Sequence, residues 1–489
     1  MRRILLALAL AGIVVSGAFA LVIVAAFDPP APLSAPERGA QFDSVFLIEP
    51  GGERRGPVSL YIEGGRIRGI GPAIESGADR YRGAFVLPGF TDLHAHFPMT
   101  GFPGDEEYTA LLFLLHGVTT VRLTGGADPQ RIASWREHVA SGEIAGPRLY
   151  SCGPIIDGPD PVLPGNRVVT SPAEARALVA ELADAGVDCI KAYDRLDLPS
   201  VTALREAAHA HGLPAIGHTP QEVSFEDARL DDVQHLRGVH PPFADEARSY
   251  PHFLAVWQRL DDAWLEHVVD VSRRHGITHT PTLSAVEATL RAQDWVRWRA
   301  TPEMQLWLPQ LRDAIWSGEV GFNPRRFSND ADLQTVRDAT VAMGRTALAL
   351  HRAGIELHTG TDSNAPNLVP GAALHREFEL WVRAGIPLEA TIEASTRVSP
   401  RFLGLEDAGS LHTGAPADLV LFQADPTRDL AALRSIVAVV RDGRLFPRED
   451  LQARVDRYRA HYGGFAFGDV LMPLLRRALA TVSGLLREE

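Results

Sequence analysis

Lysine is all but missing from this chain: of its 48 basic side chains, 47 are arginine and one is lysine, Lys191. Cysteine is scarce as well. Only Cys152 and Cys189 occur, which excludes a small disulfide-framed scaffold and is too little to indicate a redox compartment. Basic charge is in deficit, and the formal net charge of -13 argues against a nucleic-acid partner, because counterion release needs clustered cations facing phosphates. What is present is ordinary for a globular chain: 45% hydrophobic and 22% charged residues, a balance that excludes a largely disordered, collagen-like or polytopic membrane protein. A small-molecule substrate is the partner this composition favours. The 489 residues exceed the roughly 250 to 300 at which single cores stop growing, so several domains, or one large barrel with additions, are expected.

After Arg2 and Arg3, residues 4–27 run for 24 positions without a charge. That is longer than the roughly 7 to 15 of a signal-peptide core and enough to span about 30 Å of hydrocarbon. A signal anchor or transmembrane helix over residues 1–27 is the reading, followed by a Pro-rich linker over 28–41. The alternative is a signal cleaved near Ala18-Phe19-Ala20, giving a secreted protein. Either way the arginines hold the N-terminus in the cytoplasm and place the rest outside it, periplasmic or extracellular.

Short apolar runs at residues 45–48, 58–62 and 67–70 alternate with Gly-rich turns, a β-meander pattern that returns only at 417–422 and 436–440. The two flanks, residues 42–88 and 405–446, are expected to form one composite β-sandwich. Between them, over 89–404, short apolar strands alternate with helical stretches. The strand candidates are 90–96, 119–122, 148–151, 187–192, 215–218, 232–235, 278–282 and 356–362; helices include 173–185, 200–211, 263–275 and 331–353. Eight such βα repeats predict an α/β fold, a (β/α)8 TIM barrel with chemistry at the C-terminal strand ends. The long segment 240–329 holds six of the eight tryptophans and reads as added helices. Residues 447–489 read as a helical extension that docks on the protein, pairs two copies into a homo-oligomer, or touches the membrane.

Metal-ligand residue types stand at the predicted strand ends. In Thr91-Asp92-Leu93-His94-Ala95-His96, histidines two apart on a strand share a face and reach together into the barrel mouth. His218, His235 and Asp362 end other strands. Four histidines and a carboxylate converging on one face suit zinc-like ions. Lys191 ends a further apolar strand, whose alternation sends Cys189, Lys191 and Tyr193 to one face. A buried ammonium is costly, and a lysine kept where every other basic position is arginine points to chemistry a guanidinium does not supply. Schiff-base formation is one option and a carbon dioxide-derived carbamate another; beside two cations the anionic carbamate fits better. Arg122 and Tyr193, at strand ends, are candidates for holding a substrate carboxylate or oxyanion, whereas His279 and His358 read as interior groups.

The motifs Val86-Leu87-Pro88-Gly89-Phe90-Thr91-Asp92-Leu93-His94-Ala95-His96, Gly117-Val118-Thr119-Thr120-Val121-Arg122, Gly360-Thr361-Asp362-Ser363 and Ala417-Asp418-Leu419-Val420 resemble the amidohydrolase superfamily, nearest its imidazolonepropionase-like and Xaa-Pro dipeptidase-like members. The resemblance covers roughly residues 42–444. It implies two divalent ions, zinc by expectation: one on His94, His96 and Asp362, the other on His218 and His235, with carboxylated Lys191 bridging them. It also implies hydrolysis of an amide or other C–N bond by a metal-bridging hydroxide, with Asp362 as the catalytic proton carrier. Candidate substrates are a Xaa-Pro or other dipeptide, a cyclic amide, an N-acylated amino acid or a lactone. The chain departs from the family at Leu123, where an aspartate is frequent, at Gln234, where glutamate is, and at Ala415, where lysine is. Two other readings remain open, a mononuclear enzyme and a non-catalytic membrane-anchored binding barrel.

Overall fold

Alternation of buried and exposed residues shapes the first strands of the computed structural model, which describes residues 16–17, 19–74, 80–96, 102–163, 165–241, 250–291, 295–307, 330–365, 367–475 and 477. Strands β1 (Gly39–Ile48), β2 (Arg54–Glu63) and β3 (Arg66–Pro72) form an antiparallel meander, and β4 (Phe85–Pro88) pairs in parallel with β1. Gly64 and Gly65, both at positive φ, make the tight β2–β3 turn.

The next strands are apolar and buried on both faces, as parallel strands flanked by helices must be. In chain order they are β5 (Phe90–Ala95), β6 (Val118–Leu123), β7 (Arg148–Ser151), β8 (Ile155–Asp157), β9 (Arg167–Val168), β10 (Ile190–Ala192), β11 (Ala215–Gly217), β12 (Asp232–Gln234) and β13 (Thr278–Thr280). Parallel pairing runs β5-β6-β7 and then β8-β10-β11-β12-β13, with β9 on the outer side of β8. The break between β7 and β8 falls at Cys152-Gly153-Pro154, where Gly153 has φ 67°; together the two strands make the third stave. The eighth stave is the segment 357–363, which pairs only through isolated bridges from Leu357 to His279 and from Ser363 to Ala95. Backbone bonds His358 N to His279 O (2.8 Å), Leu93 N to Thr359 O (2.8 Å) and Asp362 N to His94 O (2.7 Å) join β13 to β5 through it. The sheet thus curls on itself in TIM-barrel fashion.

Helices Pro129–Ser141, Pro172–Asp184, Leu198–Ala210 and Asp262–His275 cover the staves. Asp128, Ser171, Asp197 and Asp261 cap them, each side chain accepting a first-turn N–H.

At the far flank β14 (Leu419–Phe422), β15 (Ile436–Arg441) and β16 (Arg444–Pro447) complete the first sheet, whose strand order is β16-β15-β14-β4-β1-β2-β3. β4, parallel to β1 and antiparallel to β14, is where the two flanks join. Among the described residues the flanks make one seven-stranded sheet around a core that includes Phe42, Leu47, Leu60 and Leu419. Helix Arg448–Gly463 buries Leu451, Val455, Tyr458 and Tyr462 in a cluster shared with helix Asp105–Leu115; of the three options for the extension, docking on the protein is what its described part does. The expected anchor over residues 1–27 lies mostly outside the described residues, among which no helix is long and apolar enough to cross a membrane. Much of the Trp-rich segment, including Trp316, also lies outside them.

Candidate metal centre

Pleating puts His94 and His96 on one face at the C-terminal end of β5, and the eighth stave brings Asp362 against them. Asp362 Oδ1 lies 3.3 Å from His94 Nε2 and 2.9 Å from His96 Nε2. One donor atom from each residue falls within 4.8 Å of the others, spacing that suits an ion. His235, at the end of β12, has its ring centroid 4.4 Å from that of His94. His218, after β11, is 5.0 Å from His235, so the four imidazoles form a continuous row.

Each ring is held by its Nδ1. His94 is bonded to Gln234 Oε1, His96 to Gly125 O at 3.2 Å, His218 to Asp194 Oδ1 at 2.7 Å and His235 to Thr282 Oγ1 at 2.5 Å. Nε2 is left as the atom each ring offers to a ligand, which is how metal-binding histidines are oriented. Gln234 in turn donates Nε2–H to Asp232 Oδ2 at 2.7 Å, which turns its Oε1 toward His94 and fixes the proton of His94 on Nδ1.

Burial keeps three of the rings neutral. It pushes His94 down to about 3 and His218 to about 4, and holds His235 well below the ordinary value, with the Lys191 charge adding to the effect in each. Burial alone would raise the Asp362 carboxyl, but bonds to His94 and His96 and the field of His235 hold it well below the usual carboxylate range. Imidazoles beside one carboxylate are a donor set suited to a divalent cation.

Lys191 faces the same row, and its charge acts on His94, His218 and His235. Its side chain is 1% exposed, and Nζ has no hydrogen-bond partner. Burial pushes the ammonium down to about 7, against a raising influence from Asp362. An orphaned buried amine that is substantially neutral is one that can add carbon dioxide. The residues present fit a divalent ion at His94, His96 and Asp362, with His235 and His218 next in the row.

The backbone is specialised where these ligands leave their strands. His235 and Asp362 sit at φ 58° and 63°, the left-handed region that non-glycine residues rarely occupy and that clusters at functional sites. Gly217, one residue before His218, has φ 141°, and a Cβ there would lie 2.1 Å from Ala192 O.

The two substrate candidates fare differently. Tyr193 is half-buried with its ring stacked on His218, centroids 4.2 Å apart, at the edge of the site. Arg122 lies inside the barrel instead. It has no exposed surface, donates to Asp232 Oδ2 at 2.6 Å and to Leu93 O at 2.8 Å, and packs over Phe402. Its expected contact with substrate gives way to neutralising Asp232, the carboxylate that orients Gln234. His279 and His358 are interior, as read from their strands, His279 on Ser272 Oγ at 2.9 Å and His358 beside Asp232 at 3.5 Å. Asp194 was not singled out from the sequence, yet it binds His218 and accepts from Arg237 at 2.7 Å. Its place directly after Tyr193 at a strand end was the available signal.

The chain matches the profile of the Amidohydrolase family over residues 85–446. Among solved structures it is similar to a bottromycin amidohydrolase, with 26% identity and a TM-score of 0.68 over 90% of this chain and 93% of that one. It is also similar to a Xaa-Pro dipeptidase with methionine bound in the active site, at 20% identity and a TM-score of 0.61, covering 84% of this chain and 100% of that one. A molinate hydrolase matches at 18% identity and a TM-score of 0.60, covering 86% and 97%. The latter two likenesses speak for the fold alone. None of the curated proteins matches the chain in sequence.

Proposed function

The chain belongs to the amidohydrolase family, hydrolases acting on carbon–nitrogen bonds, and from that premise we propose that it is a two-metal enzyme cleaving an amide in a small substrate. The observation that carries this reading is Lys191, whose Nζ is buried without a hydrogen-bond partner and whose charge acts on His94, His218 and His235. His94, His96 and Asp362 would hold one divalent ion, His218 and His235 the second, and the Lys191 carbamate both; zinc suits the donors. Ions held there would supply a nucleophilic water at neutral pH and polarise the scissile carbonyl. Asp362 takes up the proton of the attacking water and hands it to the leaving nitrogen. Asp194 and Thr282 keep the His218 and His235 rings in place, and Tyr193 stands where it can reach a substrate carboxylate or oxyanion.

A Xaa-Pro dipeptide is the first substrate to try, since that activity is named for one similar fold. Cyclic amides, N-acylated amino acids and lactones follow. A panel of these, assayed on wild type and Asp362→Asn, tests the function: the wild type hydrolyses at least one amide and the variant loses on the order of a thousandfold or more in kcat. Unimpaired turnover by the variant, or no hydrolysis anywhere on the panel, contradicts it. A second reading, a single ion on His94, His96 and Asp362, is supported by those three donors being, among the described residues, the group that converges within 4.8 Å. The charge-free run at residues 4–27 behind Arg2 and Arg3 supports a membrane-anchored enzyme whose catalytic domain works outside the cytoplasm.

A further inference from the structure

The chain's two cysteines, far apart in sequence, are joined: Cys152 and Cys189 form a disulfide across a separation of 37 residues. Both are buried, at 0% and 1% exposure, so the bond is part of the barrel's interior. It lies where the third stave is interrupted. Below the break, Asp188 N donates to Ser151 O at 2.8 Å and Asp188 Oδ2 accepts from Ser151 N at 2.7 Å. Above it, the ladder between the third and fourth staves resumes only at Lys191 opposite Ile155. Between these two points the disulfide spans the gap. It packs with Ile216 and against Phe402, the ring that also underlies Arg122 and His358. Strand alternation places Cys189 on the same side as Lys191, one pleat beneath it.

We propose that the Cys152–Cys189 disulfide is a positioning element for Lys191, closed by oxidation and required for the centre to take up both ions. The proposal rests on the two-metal reading above. Toward the third stave the pairs Lys191–Ile155 and Ala192–Ile156 are the ladder at the height of Lys191, with β11 holding the other edge of the strand; opening the bond loosens the Lys191 strand on the side of the third stave. Closure removes two protons and two electrons from the thiols; the electrons reduce a disulfide of an exported thiol oxidant to its dithiol. A buried, structural bond of this kind belongs to an oxidising compartment, in keeping with a catalytic domain outside the cytoplasm.

The full chain from an oxidising compartment, denatured without reductant, is expected to show no free thiol, and two after reduction. In C152S/C189S, bound metal is expected to fall from two equivalents toward one and kcat by about ten- to a hundredfold, with KM little changed and partial rescue by bicarbonate. Two free thiols in the unreduced protein, or a variant with wild-type metal content and kcat, overturn the proposal. Should the variant not fold, wild type made in a reducing extract and then oxidised with glutathione disulfide supplies the comparison: metal uptake rises on oxidation, and equal uptake before and after overturns it. A single equivalent in oxidised wild type counts against the two-ion reading itself. In that event slower backbone exchange at residues 187–193 on oxidation still supports the positioning role, and unchanged exchange overturns it.

Discussion

Arg122 and Asp232 carry opposite charges and have no exposed side-chain surface. Such a pair is held together less by its attraction than by the penalty of leaving either member alone in a low-dielectric interior. Burial would raise the Asp232 carboxyl, but His358 and Arg122 hold it below the ordinary range. Arg122→Met is therefore expected to cost about 3–5 kcal/mol of stability, read as a lower denaturation midpoint, with a smaller effect on KM. A variant that keeps its stability and loses only substrate affinity would return Arg122 to the substrate. From sequence the residue looked like a substrate contact because it ends an apolar strand; which direction an inward side chain takes, to the mouth or to a buried carboxylate, depends on a partner 110 residues away.

Among the elements, short apolar strands alternating with helical stretches made much of the barrel legible. The stave 148–151 coincides with β7, and the helix candidates at 173–185, 200–211 and 263–275 lie within one or two residues of those observed. His94, His96, His218, His235 and Asp362 were found because strand ends are where barrel chemistry sits. The misses have a common cause. The pair β8 and β9, the break at Gly153 and the disulfide depend on contacts between distant segments, and no local period records them. The eighth stave, expected at 356–362, holds through isolated bridges, because it must turn into the left-handed Asp362. Backbone demands of this kind are testable at β11. Gly217→Ala forces a Cβ toward Ala192 O in the strand carrying Lys191 and is expected to cost about 1–3 kcal/mol, with weaker metal binding at His218. A variant with wild-type melting and metal content would contradict that account of the strand end.

For the whole molecule, burying so many neutral histidines has a consequence for stability. In the metal-free chain burial holds His94 and His375 down to about 3, and His116, His218, His240 and His279 to about 4. Unfolded, these rings titrate near 6.5. Between about 4 and 6.5 the unfolded chain binds protons that the folded chain refuses, so stability falls as pH drops through that window. Asp92 and Asp105, raised by burial to about 7 and about 8, act oppositely, since the folded chain keeps protons there that the unfolded chain releases. Six groups outweigh two. Thermal unfolding of the chelator-treated protein is expected at lower temperature at pH 5 than at pH 6.5, and a midpoint that rises on acidification would contradict the burial of these rings.

The one lysine in 489 residues is kept, on this reading, to hold a second ion. Metal content of the purified protein after incubation with zinc and bicarbonate tests it most directly, with Lys191→Ala alongside. Two equivalents per chain are expected in the wild type and one or none in the variant. One equivalent in both would contradict it and leave the ion on His94, His96 and Asp362 as the whole centre.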